Sequence, residues 1–212
     1  DQGYVQISHG GISTGGVPGF RAQNVEPYVP LVVTGASPAG GGTALEQVNR
    51  LTDRRRISYS ADGSAAYQLP EEAAGVASVR VNGEALESPG SFNALTRVYT
   101  FRGAPAAGTD NVEITYLAAA SDRARILGMR CSEIYNGDTD TRLFLYGDGS
   151  NTCIYSGVTQ AGVPSAAYFP AMNEIRVDGA DAPITGLLRH GSSLLAFKPD
   201  GTWSITYSPL TL

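Results

Sequence analysis

Two histidines, two cysteines and a scatter of loop carboxylates are the residues with which this chain could do chemistry. His9 precedes Gly10-Gly11 and His190 precedes Gly191, so both are expected at turns. A Ser-His-Asp or Cys-His relay needs a nucleophile held within hydrogen-bond reach of its base. Neither histidine is assigned a catalytic role. Cys131 and Cys153 lie in the strand-like runs GMRCSEIY and TCIYSG. A free cysteine in such a run acts as a small buried hydrophobe, and a reduced, structural role is expected for both.

Metal and phosphate chemistry have equally thin support. No Cys or His spacing suits zinc. Asn136-Gly137-Asp138-Thr139-Asp140 alternates oxygen side chains as a calcium loop does, but such a loop continues with Gly and a distal Glu, and Thr141 and Arg142 break it. That run, the Asp148-Gly149 pair, Asp178 and Asp181 read as Asx-rich turns. The clusters Gly10-Gly11, Gly15-Gly16 and Gly40-Gly41-Gly42 lack the lysine of a phosphate loop and read as loops or linkers. Glycoside hydrolysis needs two carboxylates assembled in space. Glu71, Glu72, Glu133 and Glu174 are available, and nothing in their spacing marks two of them out. Arg54-Arg55-Arg56 is the one dense basic run, read as the start of a strand with alternating side chains on a solvated face. No catalytic, cofactor-binding or metal-ligating residue is assigned, no cofactor is expected, and the chain is expected not to be an enzyme.

The elements that would position these residues are strands. The 212 residues include 26 glycines and 12 prolines, which suits many short strands joined by tight turns. A hydrophobic fraction of 42% is enough to build a core. The net charge of −5 offers no broad phosphate-binding surface, so no nucleic acid partner is expected. No apolar run reaches the ~18–20 residues of a membrane helix, and no membrane partner is expected. No signal peptide is visible in DQGYVQIS. The chain begins without methionine and stops after TWSITYSPLTL, which reads as a piece of a longer polypeptide or a processed product.

Thr43–Leu51 is the best helix candidate, with Thr43 as N-cap and Glu46 as capping-box partner. Residues 118–127 read as a linker with at most one helical turn. Between Arg54 and Tyr116 the sequence predicts five to six strands of a small β-sandwich or barrel. Arg56–Ser60 and Ala66–Leu69 are expected to pair as a hairpin across the Asp62-Gly63 turn, and Val76–Val81 ends at the turn-prone Asn82-Gly83. Further on, Leu143–Ser156 aligns with Leu194–Tyr207 at an offset of 51 positions. In both copies an apolar strand meets a Gly/Asp turn and then a second strand. Cys131–Tyr135 and Ile184–Leu188 are candidate strands upstream of each copy. A repeat of ~40–50 residues with three or four strands per unit is the signature of propeller blades. The aromatics crowding the last third, from Tyr135 to Tyr207, are expected to pack the blades, with an exposed subset free to contact protein or glycan.

Several segments, in order, carry a family resemblance. They are Thr141–Gly147 (TRLFLYG), Ile154–Gly157 (IYSG), Pro164–Pro170 (PSAAYFP), Pro183–His190 (PITGLLRH), Leu194–Lys198 (LLAFK) and Gly201-Thr202-Trp203. This order resembles bacteriophage tail or neck structural proteins, the propeller-containing hub and nozzle subunits of short-tailed phages and prophages. Upstream, Tyr28-Val29-Pro30, Pro38–Gly42 and Asn49–Thr52 leading into Arg55–Ser58 are similar to the same family, in which a small β-sandwich is spliced into the propeller. The resemblance covers roughly residues 28–203, and its motifs are structural. It implies that Thr43–Leu51 is a connecting strand, and that no active site is carried over.

The expected fold is therefore all-β, a small β-sandwich inserted between blade-like antiparallel sheets, or a partial β-propeller. Residues 1–52 are expected to supply N-terminal strands and a connecting segment, 53–118 the inserted sandwich, and 119–212 two blade-like units. The expected function is that of a structural virion protein, a tail or neck assembly module. Its partners would be other virion proteins and, in the full-length context, further copies of itself. Its location would be the virion, made in the bacterial host cytoplasm. The competing reading is a glycan- or surface-binding module, marked by exposed aromatics lining one groove.

Overall fold

Alternating apolar and polar residues, punctuated by Gly and Asn at positive φ, make most of the chain extended strand. The computed structural model describes residues 5–12, 18–136 and 141–206. The fold is all-β, with one short helix among the described residues. β1 (Val5–Ile12) and β2 (Pro18–Asn24) form an antiparallel hairpin that pairs with no other described strand.

Nine strands follow: β3 (Leu31–Ala36), β4 (Thr43–Ala44), β5 (Arg54–Ala61), β6 (Ala66–Gln68), β7 (Ala73–Val81), β8 (Glu84–Ala85), β9 (Gly90–Asn93), β10 (Val98–Phe101) and β11 (Gly108–Ala118). They make two facing sheets, a six-stranded one in the order β4-β3-β5-β11-β7-β8 and a three-stranded one in the order β6-β10-β9. Tyr59, Val79, Val112, Ile114 and Tyr116 from the first sheet meet Tyr67, Tyr99 and Phe101 from the second in one core. Their rings pack edge to face, Tyr59 on Tyr67 at 5.3 Å and Tyr67 on Phe101 at 5.2 Å, as the ring quadrupole favours.

Three local expectations fare differently. Asn82 and Gly83 sit at φ 50° and 81°, the paired positive values of a type I′ turn, and close β7 onto β8 as expected. The hairpin across Asp62-Gly63 does not form. β5 and β6 belong to opposite sheets, because burying both apolar faces requires the chain to cross over there, and the Tyr59 hydroxyl bridges the gap by donating to the Gln68 carbonyl at 2.8 Å. Thr43–Leu51 is not a helix. It is β4 followed by turns, and Glu46, instead of capping, accepts from the Leu31 N–H at 2.7 Å and the Tyr28 hydroxyl at 2.8 Å. The six-stranded sheet also reaches back before residue 53, since β3 lies parallel to β5.

After α1 (Arg123–Gly128), whose six residues exceed the single turn expected of 118–127 and run one residue past it, come the repeated units. β12 (Cys131–Asn136), β13 (Thr141–Tyr146) and β14 (Thr152–Tyr155) form an antiparallel meander. A small hairpin, β15 (Gly157–Val158) and β16 (Pro164–Ser165), precedes β17 (Glu174–Arg176), which completes the first sheet beside β14. β18 (Gly186–His190), β19 (Ser193–Lys198) and β20 (Gly201–Thr206) form the second sheet. The strands follow the 51-residue offset, but the turns do not. Gly147–Asn151 separates β13 from β14, whereas only Pro199-Asp200 separates β19 from β20, so Phe144 pairs with Tyr155 while Leu195 pairs with Ser204.

The two sheets stack. Tyr135, Phe144, Tyr146 and Cys153 of the first meet Leu187, Leu194 and Ala196 of the second, with Trp203 and Ile205 at the margin. The opposite face of the first sheet, bearing Leu145 and Ile154, is covered by Leu51, Ile126 and Phe169. Residues 51 positions apart therefore keep the same sense. Leu145 and Ile154 face away from the second sheet, and Ala196 and Ile205 face back toward the first.

Candidate functional site

The sandwich and the blade pair are joined by Asn49, Arg50 and Glu174. Asn49, 3% exposed, donates its amide to the carbonyls of Tyr28 and Ala167 at 2.7 and 2.8 Å. Its oxygen accepts from the N–H groups of Leu51 and Phe169 at 3.1 and 2.9 Å, so its hydrogen-bonding capacity is fully used. Arg50, 7% exposed, pairs with Glu174 at 2.8 Å and with Asp122 at 3.4 Å. Arg125 grips both oxygens of Glu174 at 2.8 Å in a bidentate fork. The Arg125 hydrogen bonds, backed by the charges of Arg125 and Arg50, hold the Glu174 carboxyl below the usual carboxylate range. A carboxylate so held stays ionised near neutral pH, which suits an anchor and not a proton donor.

A second buried cation closes the far edge of the blade pair. The Lys198 ammonium is fully enclosed and donates to the carbonyls of Val177 and Ala180 at 3.2 and 3.0 Å. Asp178 lies 3.6 Å away, and the Trp203 ring centroid lies 4.9 Å beneath the nitrogen. These contacts and the cation–π attraction fix the 177–181 loop against the second sheet.

Two outward surfaces remain. On the face of the second sheet turned away from the first, Leu188, 52% exposed, stands directly opposite Leu195, and Phe197 lies on the same face next to Gly186. On the outer face of the six-stranded sheet, an open groove of about 360 Å³ lies beneath the Tyr28-Val29 strap. Its floor is Ser78 and Thr115, and its walls carry Arg54, Arg56, Arg80 and Glu113.

The residues weighed for chemistry are dispersed. His190 is exposed at the end of β18, and the side chain of His9 lies outside what is described. Cys131 is exposed at the start of β12, correcting the expectation that both cysteines are buried, because the edge strand leaves its sulfur uncovered. Cys153 is buried and free, and burial pushes its thiol up to about 12. Of the calcium-like run, residues 137–140 lie outside the described residues, and the described residues hold no cluster of three metal-ligating side chains. Asp148 accepts from the Ser150 N–H at 2.9 Å, an Asx turn as expected. Glu72 is tied to Arg55 and to the Tyr116 hydroxyl, each at 2.8 Å. The blade aromatics pack as expected, with Phe144 stacked on Tyr155 at 5.3 Å; Tyr207 lies outside the described residues.

No family model, curated protein or solved structure matches the chain.

Sequence reasoning did not find the joint. Arg50 and Glu174 are 124 positions apart, and no periodicity or spacing connects them. The groove was equally hidden, because strand alternation put Arg54 and Arg56 on the solvated face as expected but said nothing of Arg80 two strands away.

Proposed function

We propose that the chain is a virion structural module, part of a bacteriophage tail or neck subunit that works through protein–protein contacts. One observation carries this reading. Phe144 and Tyr146 of the first sheet pack on the second, and the residues 51 positions later, Leu195 and Phe197, present the same face onward with no described sheet against it. Repeating the stacking once more would seat another sheet on Leu188, Leu195 and Phe197, as neighbouring blades do in a propeller. On this reading the partners are other virion proteins and further copies of the chain, and its place is the virion.

The face is small. Full burial of one large aliphatic or aromatic side chain stabilises by about 1.5–3 kcal/mol, and these three are already partly covered. Association through this face alone falls short of the ~8 kcal/mol of a micromolar complex, so it needs high concentration or ring closure. Light scattering coupled to size exclusion, taken up to about millimolar protein, tests it. The average mass should rise with concentration, and the double variant L188K/L195K should return it to the monomer without lowering the melting temperature. A wild-type chain that stays monomeric throughout, or a variant that associates as well as wild type, sinks the proposal.

A further inference from the structure

The groove on the outer face of the six-stranded sheet holds positive charge that the fold does not use. Arg56 is engaged, donating to the Val29 carbonyl at 3.0 Å and pairing with Glu113 at 3.2 Å. Arg54 and Arg80 are exposed, and neither forms an ion pair with a described residue, although Arg80 stands opposite Glu113 in register. Three guanidinium groups therefore face one carboxylate, on a chain whose overall charge is −5. The pairing Arg56–Thr115–Ser78 crosses three adjacent strands, which spaces Arg56 and Arg80 about 10 Å across the sheet and about 7 Å along it. Arg54 and Arg56, two residues apart on β5, repeat at about 7 Å on one face.

From this geometry we propose that the groove binds an acidic, extended segment of a partner protein, with Asp or Glu at alternate positions. Carboxylates at i and i+2 of an extended peptide share the ~7 Å spacing of Arg54 and Arg56, and Arg56 keeps N–H donors beyond those given to Val29 and Glu113. Arg80 takes a third carboxylate from across the sheet, and the planar guanidinium fork matches each carboxylate. The hydroxyls of Ser78 and Thr115 can bond the peptide backbone over the floor. A glycan fits less well, because Tyr28, the one aromatic in the groove, packs its ring on Tyr168 at 5.2 Å and spends its hydroxyl on Glu46. A nucleic acid fits less well again, since it needs a basic surface interleaved with stacking rings.

The test is a titration of the whole chain, followed by amide NMR shifts at low salt. The probes are an acetylated hexapeptide alternating Glu and Ser, its Gln counterpart, a galacturonate hexamer and a thymidine hexanucleotide. The Glu peptide should shift amides of β5, β7 and β11, weaken as salt is added, and bind about tenfold less to the double variant R54Q/R80Q. Both arginines are exposed, so an unchanged melting temperature is the control for folding. The proposal is overturned by no peptide binding at low salt, by undiminished binding to the variant, by equal binding of the Gln peptide, or by tighter binding of the uronate or the oligonucleotide.

Discussion

The sandwich and the blade pair are both built of two stacked sheets, but they treat their outer faces differently. The sheets of the sandwich face each other over a core in which Tyr67, Val112 and Ile114 are fully buried, and its outer face is lined with Arg, Ser, Thr and Glu. The blade pair is a stack of two sheets covered unequally. The first sheet is covered on both faces, by the second sheet and by the Leu51, Ile126 and Phe169 cluster, while the second sheet is covered on one. The contrast separates a region closed on itself from one that leaves an apolar face open. A closed sandwich spends its apolar surface on its own stability, whereas a stack of repeats keeps some for its neighbours.

The comparison breaks most readily in the sandwich core. Ile114→Ala should cost about 3 kcal/mol, the transfer loss plus the cavity left in a close-packed site. Hydrogen exchange read by mass spectrometry should quicken across 54–118 and leave 131–206 unchanged. Equal quickening in both regions would show that they open as one unit.

The joint comes next. Glu174→Gln leaves the buried Arg50 with a weaker counter-charge and should cost about 2–3 kcal/mol. The pH dependence follows from the depressed carboxyl. Since the folded value lies below the unfolded one, the stabilisation is complete above the unfolded value near ~4.3 and is lost as pH falls through the folded value. Urea midpoints of wild type and variant should stay apart from neutral pH down to about 4.3 and converge below it. A gap that persists unchanged below that pH would remove the charge from the explanation.

The smallest effect belongs to Lys198. Lys198→Met keeps most of the apolar stem and removes two hydrogen bonds, the Asp178 ion pair and the cation–π contact, a loss of about 1 kcal/mol once the relief of burying a charge is counted. Trp203 is the single tryptophan, so its fluorescence reports the second sheet alone. Its urea midpoint should fall slightly, while exchange protection in the sandwich stays as in wild type.

Much of this architecture was legible in the sequence where the determinants are local. Asn82-Gly83 turns where a type I′ pair must, and the 51-residue offset marks the strands that stack. What was not legible is what distance along the chain conceals. The Asp62-Gly63 pair has the chemistry of a hairpin, yet the apolar residues on either side belong to opposite walls of one core. β3 runs parallel to β5, a pairing that no short-range pattern announces. Glu46 has a capping residue's spacing, but tertiary partners claim its carboxylate. The arginines of the groove converge only after three strands are laid side by side.

The chain enters the long strands of the sandwich at Asp53 and leaves at Ala118, whose N–H donates to the Asp53 carbonyl at 2.9 Å. Just outside this point Arg123 donates to the Leu51 carbonyl at 2.9 Å, and Arg50 pairs with Asp122. A pull along the backbone meets this lashing first and passes from residues 50–51 to residues 122–123 without running through residues 52–121 between them. That part of the sandwich hangs outside the line of force, on a loop tied off at its neck. Tension carried by the blade sheets would leave its hydrogen bonds, and the arginine groove on its surface, unstrained.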